Sequence, residues 1–340
     1  MTEQYKRRDF IKTAAVLGVG VGVAKNALGL FSGDDQSLQT GTRVGIIGLD
    51  TSHSIAFAKT LNDPNAAKDL GGYKVVAAYP KGSHDIESSV SRIAGYTTEI
   101  EKLGVEIVTS IDDLIKKVDV VLLETNDGRL HLEQALPVLK AGKRMFIDKP
   151  VAASLADAFS IFIASKKYNV PIFSSSSLRY FENAQDIEQG KLGRIMGADT
   201  FSPATLEKTH SDLYWYGIHG VELLFTVMGT GCKNIRRTFN NEIEVVVGEW
   251  TDNRIGTFRG IRTGKKDYGG TVFGEKDILT IKPASGYRPL LVKIVQFFQT
   301  GIPPVSPQET LEIYTFMEAA RVSSRKNGAV ISLESVAKKL

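Results

Sequence analysis

The stretch Thr42-Arg43-Val44-Gly45-Ile46-Ile47-Gly48 decides the fold of this 340-residue chain. A run of β-branched and apolar residues that stops at a glycine is typical of a buried β-strand. Beyond it the sequence predicts helices and strands in alternation. The predicted strands cover residues 73–79, 105–108, 118–124 and 144–147, and the predicted helices cover residues 54–61, 111–117 and 131–141. This alternation predicts a mostly parallel sheet with right-handed crossovers, as in folds that bind dinucleotides.

The turn after the first strand keeps only part of the glycine pattern that cradles a dinucleotide. The expected G-x-G-x-x-G reads Gly48-Leu49-Asp50-Thr51-Ser52-His53. A carboxylate at the second glycine position repels a pyrophosphate by about 4 kcal/mol at 4 Å and an effective dielectric of 20, unless Asp50 instead caps the helix. The two hydroxyls and the helix N-terminus can still hold an anion. The candidate cofactor-binding residues of this turn are Gly48, Asp50, Thr51, Ser52 and His53.

The tip of the second strand bears on the choice of nucleotide. It reads Tyr79-Pro80-Lys81-Gly82-Ser83 and lacks the acid that usually binds the adenine ribose. Lys81 and Ser83 are able to hold a 2′-phosphate, which favours NADP. The alternative is that the segment is an ordinary surface turn.

Several motifs occur in an order that resembles one enzyme family. Asp148-Lys149-Pro150 follows the fifth predicted strand, and further motifs lie on both sides of it. They are Asn126 with His131, Ala141-Gly142-Lys143, Arg179-Tyr180, Gly193 with Ile195, Gly217-Ile218-His219 with Glu222, and a closing helix over Pro307–Leu333. Over residues 42–335 this order resembles the glucose–fructose oxidoreductase/inositol dehydrogenase/rhizopine-catabolism family (Gfo/Idh/MocA).

The resemblance implies a two-domain α/β architecture. We expect an N-terminal Rossmann-type domain over residues 42–165 and a C-terminal α+β domain over 166–340. The second domain is expected to carry a large, open, mostly antiparallel sheet. Strand-like runs recur over residues 198–201, 242–250, 254–261, 270–274 and 277–281. Family members of this kind bind NAD or NADP, and their open sheet usually pairs with another subunit, so a homo-oligomer is expected.

The resemblance also suggests which residues carry the chemistry. Lys149 is expected to orient the substrate hydroxyl, and His219 is expected to take its proton, beside the nicotinamide. The family's acid four residues before the histidine is absent, and Trp215 stands there. Tyr216 is the remaining candidate for acid–base assistance, and Asn126 and Asp148 are expected near the cofactor. Without the resemblance, Lys149 reads as a loop lysine and His219 as a helix histidine with ordinary partners.

Candidate substrate residues lie after the fourth strand and in the second domain. Asp127, Arg129 and His131 follow the strand at the carboxyl edge, where ligands of such sheets bind. The guanidinium can clamp a carboxylate, or it can be a surface group. Arg179 belongs to one of the family-like motifs. Trp215 suits either stacking on a sugar or a place in the core.

Composition excludes several classes of protein. A lone cysteine, Cys232, rules out a disulfide framework and a cysteine-based metal site within one chain. The five histidines show no metal-binding spacing, so no metal site is predicted. Residues 1–29 hold five of the 42 Lys and Arg residues and two of the 38 Asp and Glu residues, which leaves 37 cations against 36 anions in the rest. That near-neutral body argues against nucleic-acid binding.

The N-terminus resembles a targeting signal. Lys6-Arg7-Arg8-Asp9-Phe10-Ile11-Lys12 precedes a short apolar run over residues 13–24, as in the bacterial twin-arginine signal. The run is too short for a comfortable membrane span of about 20 residues. Residues 1–29 are therefore predicted to be the signal, either cleaved after Gly29 or kept as an anchor, and residues 30–41 a polar linker. The expected location is the periplasm or the cell surface.

The sequence is consistent with three functions. The first is an exported oxidoreductase that uses a tightly held NAD(P) on a sugar or sugar derivative. Because free nucleotide is not expected outside the cytoplasm, such an enzyme is expected to run a redox-neutral reaction, by internal recycling or through a keto-sugar that assists glycosidic cleavage. The second is a carbohydrate-binding protein on the same fold without catalysis. The third is a cytoplasmic dehydrogenase whose arginine pair is accidental.

Overall fold

The protein is described by a computed structural model that covers residues 41–283 and 286–338. It contains a parallel sheet near the N-terminus and a mostly antiparallel sheet in the second half of the chain. The predicted fold class is therefore confirmed. The predicted signal and nearly all of the predicted linker lie outside the described residues.

The first sheet has six strands in the order β3-β2-β1-β4-β5-β6, and each neighbouring pair is parallel. The strands are β1 (Arg43–Ile47), β2 (Lys74–Tyr79), β3 (Glu106–Ile107), β4 (Val120–Leu123), β5 (Met145–Ile147) and β6 (Ile172–Phe173). Because β6 pairs with β5, the sheet continues past residue 165, where we expected the domain to end. A two-residue strand gives no periodicity that would reveal it in the sequence.

Helices join these strands. They are α1 (Ser52–Asn62), α2 (Glu87–Glu101), α3 (Ile111–Lys117), α4 (His131–Lys140) and α5 (Leu155–Tyr168). Two of them begin at a serine whose hydroxyl accepts the backbone N–H three residues on: Ser110 before α3 and Ser154 before α5. The order places the N-terminus of α1 and the loops after β4 and β5 at the carboxyl edge of the sheet.

The second sheet has seven strands in the order β12-β11-β7-β10-β9-β8-β13. They are β7 (Ile195–Pro203), β8 (Cys232–Phe239), β9 (Ile243–Trp250), β10 (Ile255–Ile261), β11 (Gly269–Gly274), β12 (Ile278–Ile281) and β13 (Ile331–Ser332). The pair β7–β10 is parallel and the other pairs are antiparallel.

A fully buried helix packs on that sheet and carries His219. This helix, α7 (Ile218–Met228), approaches β10 so closely that a Cβ on Gly220 would lie 2.4 Å from the ring of Phe258. It follows α6 (Glu182–Glu188) and β7 in the chain. The close approach fixes the start of α7, and with it His219, against the sheet.

The last helices tie the two halves together. The helix α8 (Arg288–Thr300) returns to the first domain, where Leu290, Ile294 and Phe298 join the same buried cluster as Val44 of β1. The closing helix expected over residues 307–333 is shorter in the structure. Instead, α9 (Pro307–Arg325) ends where Gly328 at φ 80° turns the chain, and β13 and α10 (Leu333–Ala337) follow. Within the described residues, no helix has both the length and the apolar character needed to cross a membrane.

Candidate functional site

The turn after β1 keeps the first glycine of the dinucleotide pattern for a steric reason. Gly48 has φ 87°, and a Cβ there would lie 2.4 Å from Thr125 Oγ1. Both conditions require glycine. The α1 helix that follows has no acid in its first turn, and its N-cap residue Thr51 makes no side-chain capping bond.

Asp50 is not a helix cap. Its carboxylate is fully buried and accepts hydrogen bonds of 2.9 Å from the backbone N–H groups of Ser83 and Asn126. A Cβ on Gly82 would lie 2.2 Å from the Asp50 carboxylate, so the loop after β2 closes directly over it. Burial raises the pKa of Asp50, and the backbone hydrogen bonds oppose that rise. The residue therefore fastens the loops after β1, β2 and β4 to one another.

Lys81 and Ser83, the two residues expected to hold a 2′-phosphate, have different surroundings in the structure. Ser83 is buried, and its hydroxyl lies 3.2 Å from Asp127 Oδ2 and 3.4 Å from Asp85 Oδ1, so it can donate its proton to either carboxylate. Lys81 is exposed. Ser83 thus has protein partners, and Lys81 is the member of the pair that faces solvent.

His53, at the third glycine position, lies in a buried group that includes two carboxylates. Its Nδ1 is 2.9 Å from Asp148 Oδ2 and 3.9 Å from Glu124 Oε2. The ring packs edge-on against Tyr287 with centroids 4.3 Å apart. Glu124, the residue that follows β4, was not singled out from the sequence. The sequence signal that could have identified Glu124 is an acid placed directly after a buried apolar strand.

The two carboxyls of this group differ in their protonation. Complete burial, with the nearby charge of Asp148 adding to it, raises the pKa of Glu124 well above its usual value. Burial also acts to raise the pKa of Asp148, but the charges of His53 and Lys149 outweigh it and the pKa is lowered. Asp148 is therefore the ionised member of the pair at neutral pH.

Lys149 and His219, the two residues expected to carry the chemistry, lie near this group, since the charges of Lys149, His53 and Asp148 all act on His219. A small cavity of about 10 Å³ is lined by Lys149 together with Ile218 and Glu222 of α7. Burial lowers the pKa of His219 well below its usual value, and the nearby positive charge of Lys149 lowers it further. His219 Nδ1 is 2.7 Å from Ser176 Oγ. The imidazole is thus neutral at pH 7, with one nitrogen held by a hydroxyl.

Two tyrosines flank His219. The ring centroid of Tyr216 is 5.9 Å from that of His219, and its side is open, since the residue is 38% exposed. Tyr268 packs edge-on at 5.6 Å. Burial raises the pKa of Tyr268 to about 12, so its hydroxyl keeps its proton at neutral pH. Tyr268 was not singled out from the sequence, because its loop shows no motif.

The loop after β4 meets the segment before α7 in a second polar group. Arg129 bonds to both oxygens of Asp127 and to Asp85, so its charge is matched within the protein. His210 Nε2 lies 3.4 Å from Asp127 Oδ1, and the His210 ring packs on Trp215 with centroids 4.9 Å apart. Three of the candidate substrate residues therefore lie together, with a histidine that had no expected role.

The other candidate residues are held by protein partners. His131 is fully buried, and its ring nitrogens face the carbonyl oxygens of Thr125 at 2.6 Å and Val151 at 3.2 Å. Arg179 is 4% exposed and pairs with Glu222 and Glu309. Asn126 Nδ2 donates to Ser89 Oγ at 2.9 Å. These contacts position loops and helices, and contact with substrate or cofactor stays a prediction for all three residues.

Comparison with known proteins finds a family model that matches the first domain. Residues 42–175 match the GFO_IDH_MocA family, described as an oxidoreductase family with an NAD-binding Rossmann fold. This match contains all six strands of the first sheet and spans less than half of the chain. Among curated relatives, 1,5-anhydro-D-fructose reductase of Ensifer adhaerens is 32% identical over 122 residues. That match covers 34% of this chain and 36% of the relative's length, so the chain matches it over about a third of the enzyme.

Solved structures extend the likeness to the whole fold. A probable dehydrogenase from Thermotoga maritima has a TM-score of 0.71 at 20% identity, over 86% of this chain and 99% of that one. A scyllo-inositol dehydrogenase from Lactobacillus casei, solved with NAD(H) and scyllo-inositol, has a TM-score of 0.66 at 17% identity, over 86% and 99% of the two chains. At these identities the likeness establishes the fold of both domains.

The residues of the first domain fit a dinucleotide at one part of the turn. Gly48 allows the tight turn, and the acid-free start of α1 presents N–H groups to an anion. The buried Thr51 Oγ1 has no hydrogen-bond partner among the described residues, as expected of a group that awaits a ligand. Asp50 and His53 fill the other two glycine positions with side chains that have protein neighbours.

Proposed function

We propose that this chain is an NAD(P)-dependent oxidoreductase that acts on a hydroxyl group of a sugar, polyol or sugar derivative. The family of its first domain supports the cofactor and the class of reaction. The substrate class is supported by two similar proteins, one named a 1,5-anhydro-D-fructose reductase and the other solved with scyllo-inositol. When bound, the nicotinamide supplies the hydride acceptor or donor.

The observation that carries the proposal is the placement of Lys149 beside α7. The lysine comes from the loop after β5, and His219 comes from the second domain, yet they are near enough for one charge to shift the other's pKa. Oxidation of an alcohol requires a base for the hydroxyl proton and a positive group for the developing oxyanion. A lysine ammonium and a neutral imidazole at one place supply both.

The hydrogen bond to Ser176 decides which nitrogen of His219 acts as the base. If Nδ1 carries the proton and donates to Ser176 Oγ, Nε2 has a free lone pair and can accept the substrate proton. The lowered pKa keeps the imidazole neutral before the reaction. Lys149 holds the substrate oxygen, and its charge also lowers the affinity of His219 for a proton.

The substrate is proposed to lie against the aromatic residues before α7. Tyr216 adjoins the His219 ring, and Trp215 packs on His210, which lies 3.4 Å from Asp127. Aromatic faces suit the C–H surface of a sugar ring, whereas the Asp127 carboxylate is fully buried and already accepts hydrogen bonds from Arg129 and Ser83. Tyr216 is the exposed member, which marks the open side of the proposed site.

A second function is favoured by a specific observation. The Asp50 carboxylate accepts hydrogen bonds from the backbone N–H groups of Ser83 and Asn126, and the loop after β2 closes over the turn. This arrangement is compatible with a carbohydrate-binding protein that has lost its nucleotide. In that case the polar group around Asp127 and Trp215 binds a sugar without chemistry.

We also propose that the protein is exported and that its reaction is redox-neutral overall. The Arg7-Arg8 pair supports export by the twin-arginine route, which carries folded proteins with their cofactors. Replacement of both arginines by lysine is expected to leave the protein in the cytoplasm. A nucleotide held outside the cytoplasm has to be returned to its starting state in place, by a second substrate or within one reaction cycle.

The experiment that separates the two functions examines the purified chain for nucleotide. The protein is denatured, and the released material is separated by chromatography and read at 340 nm after borohydride reduction. NAD or NADP in the supernatant, or heat on titration of the nucleotides into the protein, supports the oxidoreductase. Carbohydrate binding with neither signal supports the binding protein.

A further inference from the structure

We propose that His53 Nδ1 and the carboxylates of Glu124 and Asp148 form a binding site for one divalent metal ion. These residues come from three places at the carboxyl edge of the first sheet: the start of α1, the end of β4 and the loop after β5. The sequence showed no metal-binding spacing, because the three residues lie far apart along the chain. The fold alone brings them together.

The distances suit a single ion. One ligand atom from each residue lies within 4.8 Å of the other two. His53 Nδ1 is 2.9 Å from Asp148 Oδ2 and 3.9 Å from Glu124 Oε2. Atoms bound at about 2.0–2.2 Å to a tetrahedral Zn²⁺ lie about 3.3–3.6 Å from one another. The observed separations bracket that value, so small side-chain rotations would bring the three atoms to one ion.

The groups also have unused bonding capacity. Glu124 is fully buried, and within the described residues neither of its carboxylate oxygens has a hydrogen-bond partner. Asp148 Oδ2 and His53 Nδ1 lie 2.9 Å apart and face each other, so the atoms left without a close partner are the two carboxylate oxygens of Glu124. Buried polar atoms without partners are rare in folded proteins, because such atoms have lost water without gaining another hydrogen-bond partner. A bound cation would satisfy all of these atoms together.

The local charge calls for a cation. As ligands of a metal, the two carboxylates would carry two negative charges, which a divalent ion balances. Lys149 is close enough to influence both acids, but across residues 41–283 and 286–338 it forms no ion pair with either. Removal of an isolated carboxylate from water is costly, so without an ion Glu124 is expected to hold a proton.

The donor set narrows the choice of metal. One imidazole nitrogen with two carboxylate oxygens suits first-row divalent ions such as Zn²⁺ and Mn²⁺ better than Ca²⁺ or Mg²⁺, which prefer oxygen alone. Three protein ligands leave a coordination position open for water or a ligand. This inference does not rest on the proposed oxidoreductase function, because the site is complete without a nucleotide.

Metal analysis of the full chain tests the proposal. The protein is purified without a histidine tag, dialysed, and analysed by inductively coupled plasma mass spectrometry. We expect about one Zn²⁺ or Mn²⁺ per chain. After removal of metal with EDTA, we expect added Zn²⁺ or Mn²⁺ to raise the thermal midpoint, because a ligand that binds only the folded state stabilises it.

Glu124→Gln and His53→Gln are the test variants, and Glu312→Gln is their matched control. Glu312 is also a largely buried carboxyl, but it accepts the N–H groups of Gly231 and Cys232 instead. The test variants should lose more than about tenfold in metal affinity, whereas the control keeps it. If either test variant fails to fold, Mn²⁺ binding to the stripped wild type, followed by electron paramagnetic resonance, replaces it.

Two results would overturn the proposal. The first is wild-type protein that holds only traces of metal and whose thermal midpoint does not respond to Zn²⁺ or Mn²⁺, which would mean that Glu124 holds a proton instead. The second is metal that binds as tightly to Glu124→Gln and His53→Gln as to the wild type. Neither readout involves a nucleotide, so failure here is distinct from failure of the proposed function.

Discussion

Asp50 Oδ2 lies 2.9 Å from the backbone nitrogen of Ser83 and accepts its hydrogen bond. The other carboxylate oxygen accepts the N–H of Asn126 at the same distance. At the position where a dinucleotide domain usually has its second glycine, this chain therefore carries an internal anion that joins three loops. The sequence suggested repulsion of a pyrophosphate or a helix cap, and the structure shows a tether between loops.

Replacement of Asp50 is expected to cost stability. Asp50→Gly leaves two backbone N–H groups without their acceptor, at about 1–3 kcal/mol for each buried donor. Asp50→Asn keeps one oxygen and should lose roughly half as much. Urea unfolding of the two variants and the wild type measures the difference. An Asp50→Gly protein as stable as the wild type, with tighter NAD binding by calorimetry, would show that the carboxylate opposes the cofactor and does not hold the loops.

Glu312 gives the protein a pH-dependent stability. Burial raises the pKa of its carboxyl from 4.5 to about 7, although two backbone N–H groups oppose the rise. The folded state therefore binds this proton more tightly than the unfolded state. The resulting stability is fully present below pH 4.5 and is lost as the pH rises to about 7.

Glu312→Gln should remove that dependence. At pH 8 we expect the variant to be more stable than the wild type by up to about 3 kcal/mol, since each pKa unit corresponds to about 1.4 kcal/mol. Near pH 4.5 the two proteins should differ little. Thermal or urea unfolding across this range measures the gap. A gap that does not widen with pH would mean that Glu312 ionises normally in the folded protein.

We predict that Arg179 contributes to the stability of the fold and not primarily to substrate binding. Its guanidinium is buried between Glu222 of α7 and Glu309 of α9. Removal of one partner from a buried ion pair typically costs about 3–5 kcal/mol, because the other charge is left unpaired. Arg179→Met should lower the urea midpoint, and the added change Glu222→Gln should recover part of it. If Arg179→Met keeps the urea midpoint of the wild type but binds sugar more weakly, Arg179 contacts the substrate instead.

The open face of the second sheet predicts self-association. Val245 and Val247 of β9 face Arg259 and Thr257 of β10, and all four are only partly buried or exposed. Ile255 on the same face is 55% exposed. Val247→Lys should convert an oligomer to a monomer in light scattering, whereas Glu242→Lys, in the turn before β9, should not. A wild-type monomer would contradict the expectation.

The sequence was most informative where burial is apolar and local. The runs of β1, β2, β4 and β5 predicted strands within one or two residues of their observed ends, and α3 was predicted with its observed bounds. Buried parallel strands have apolar side chains on both faces, so their signal needs no knowledge of distant partners. The same reasoning led to the correct order of alternating elements.

The sequence was least informative where buried charges are matched across the fold. The strand β8 was not predicted, because Arg236 and Arg237 make it look polar. Arg237 is nevertheless buried, paired with Glu244 at 2.6 Å and with Asp212 at 2.7 Å. Glu124 was missed for a related reason, since its neighbours His53 and Asp148 come from other segments.

Candidate site residues divide in the same way. Lys149 and His219 come from two segments that only the family resemblance brought together. In the structure the charge of Lys149 lowers the pKa of His219, and their joint action on a substrate stays a prediction. The composition of the loops gave no sign that Ser83, His131 and Arg179 have protein partners. Which polar side chain faces a ligand depends on distant parts of the chain.

The central claim is that Lys149 and His219 act on one substrate oxygen. The direct measurement is a double-mutant cycle on kcat/KM with Lys149→Ala, His219→Gln and both together. Turnover is followed at 340 nm with NAD or NADP against scyllo-inositol, myo-inositol, 1,5-anhydro-D-fructose and glucose. Lys140→Ala, an exposed lysine at the end of α4, is the matched control.

We expect each single variant to lose about 10²–10⁴-fold in rate, as is typical when a general acid–base group is removed. The kcat/KM of the double variant should be little lower than that of the less active single variant, because both groups serve the same step. Lys140→Ala should behave as the wild type. A double variant with the turnover of the wild type, or losses that multiply as for independent sites, would contradict the account.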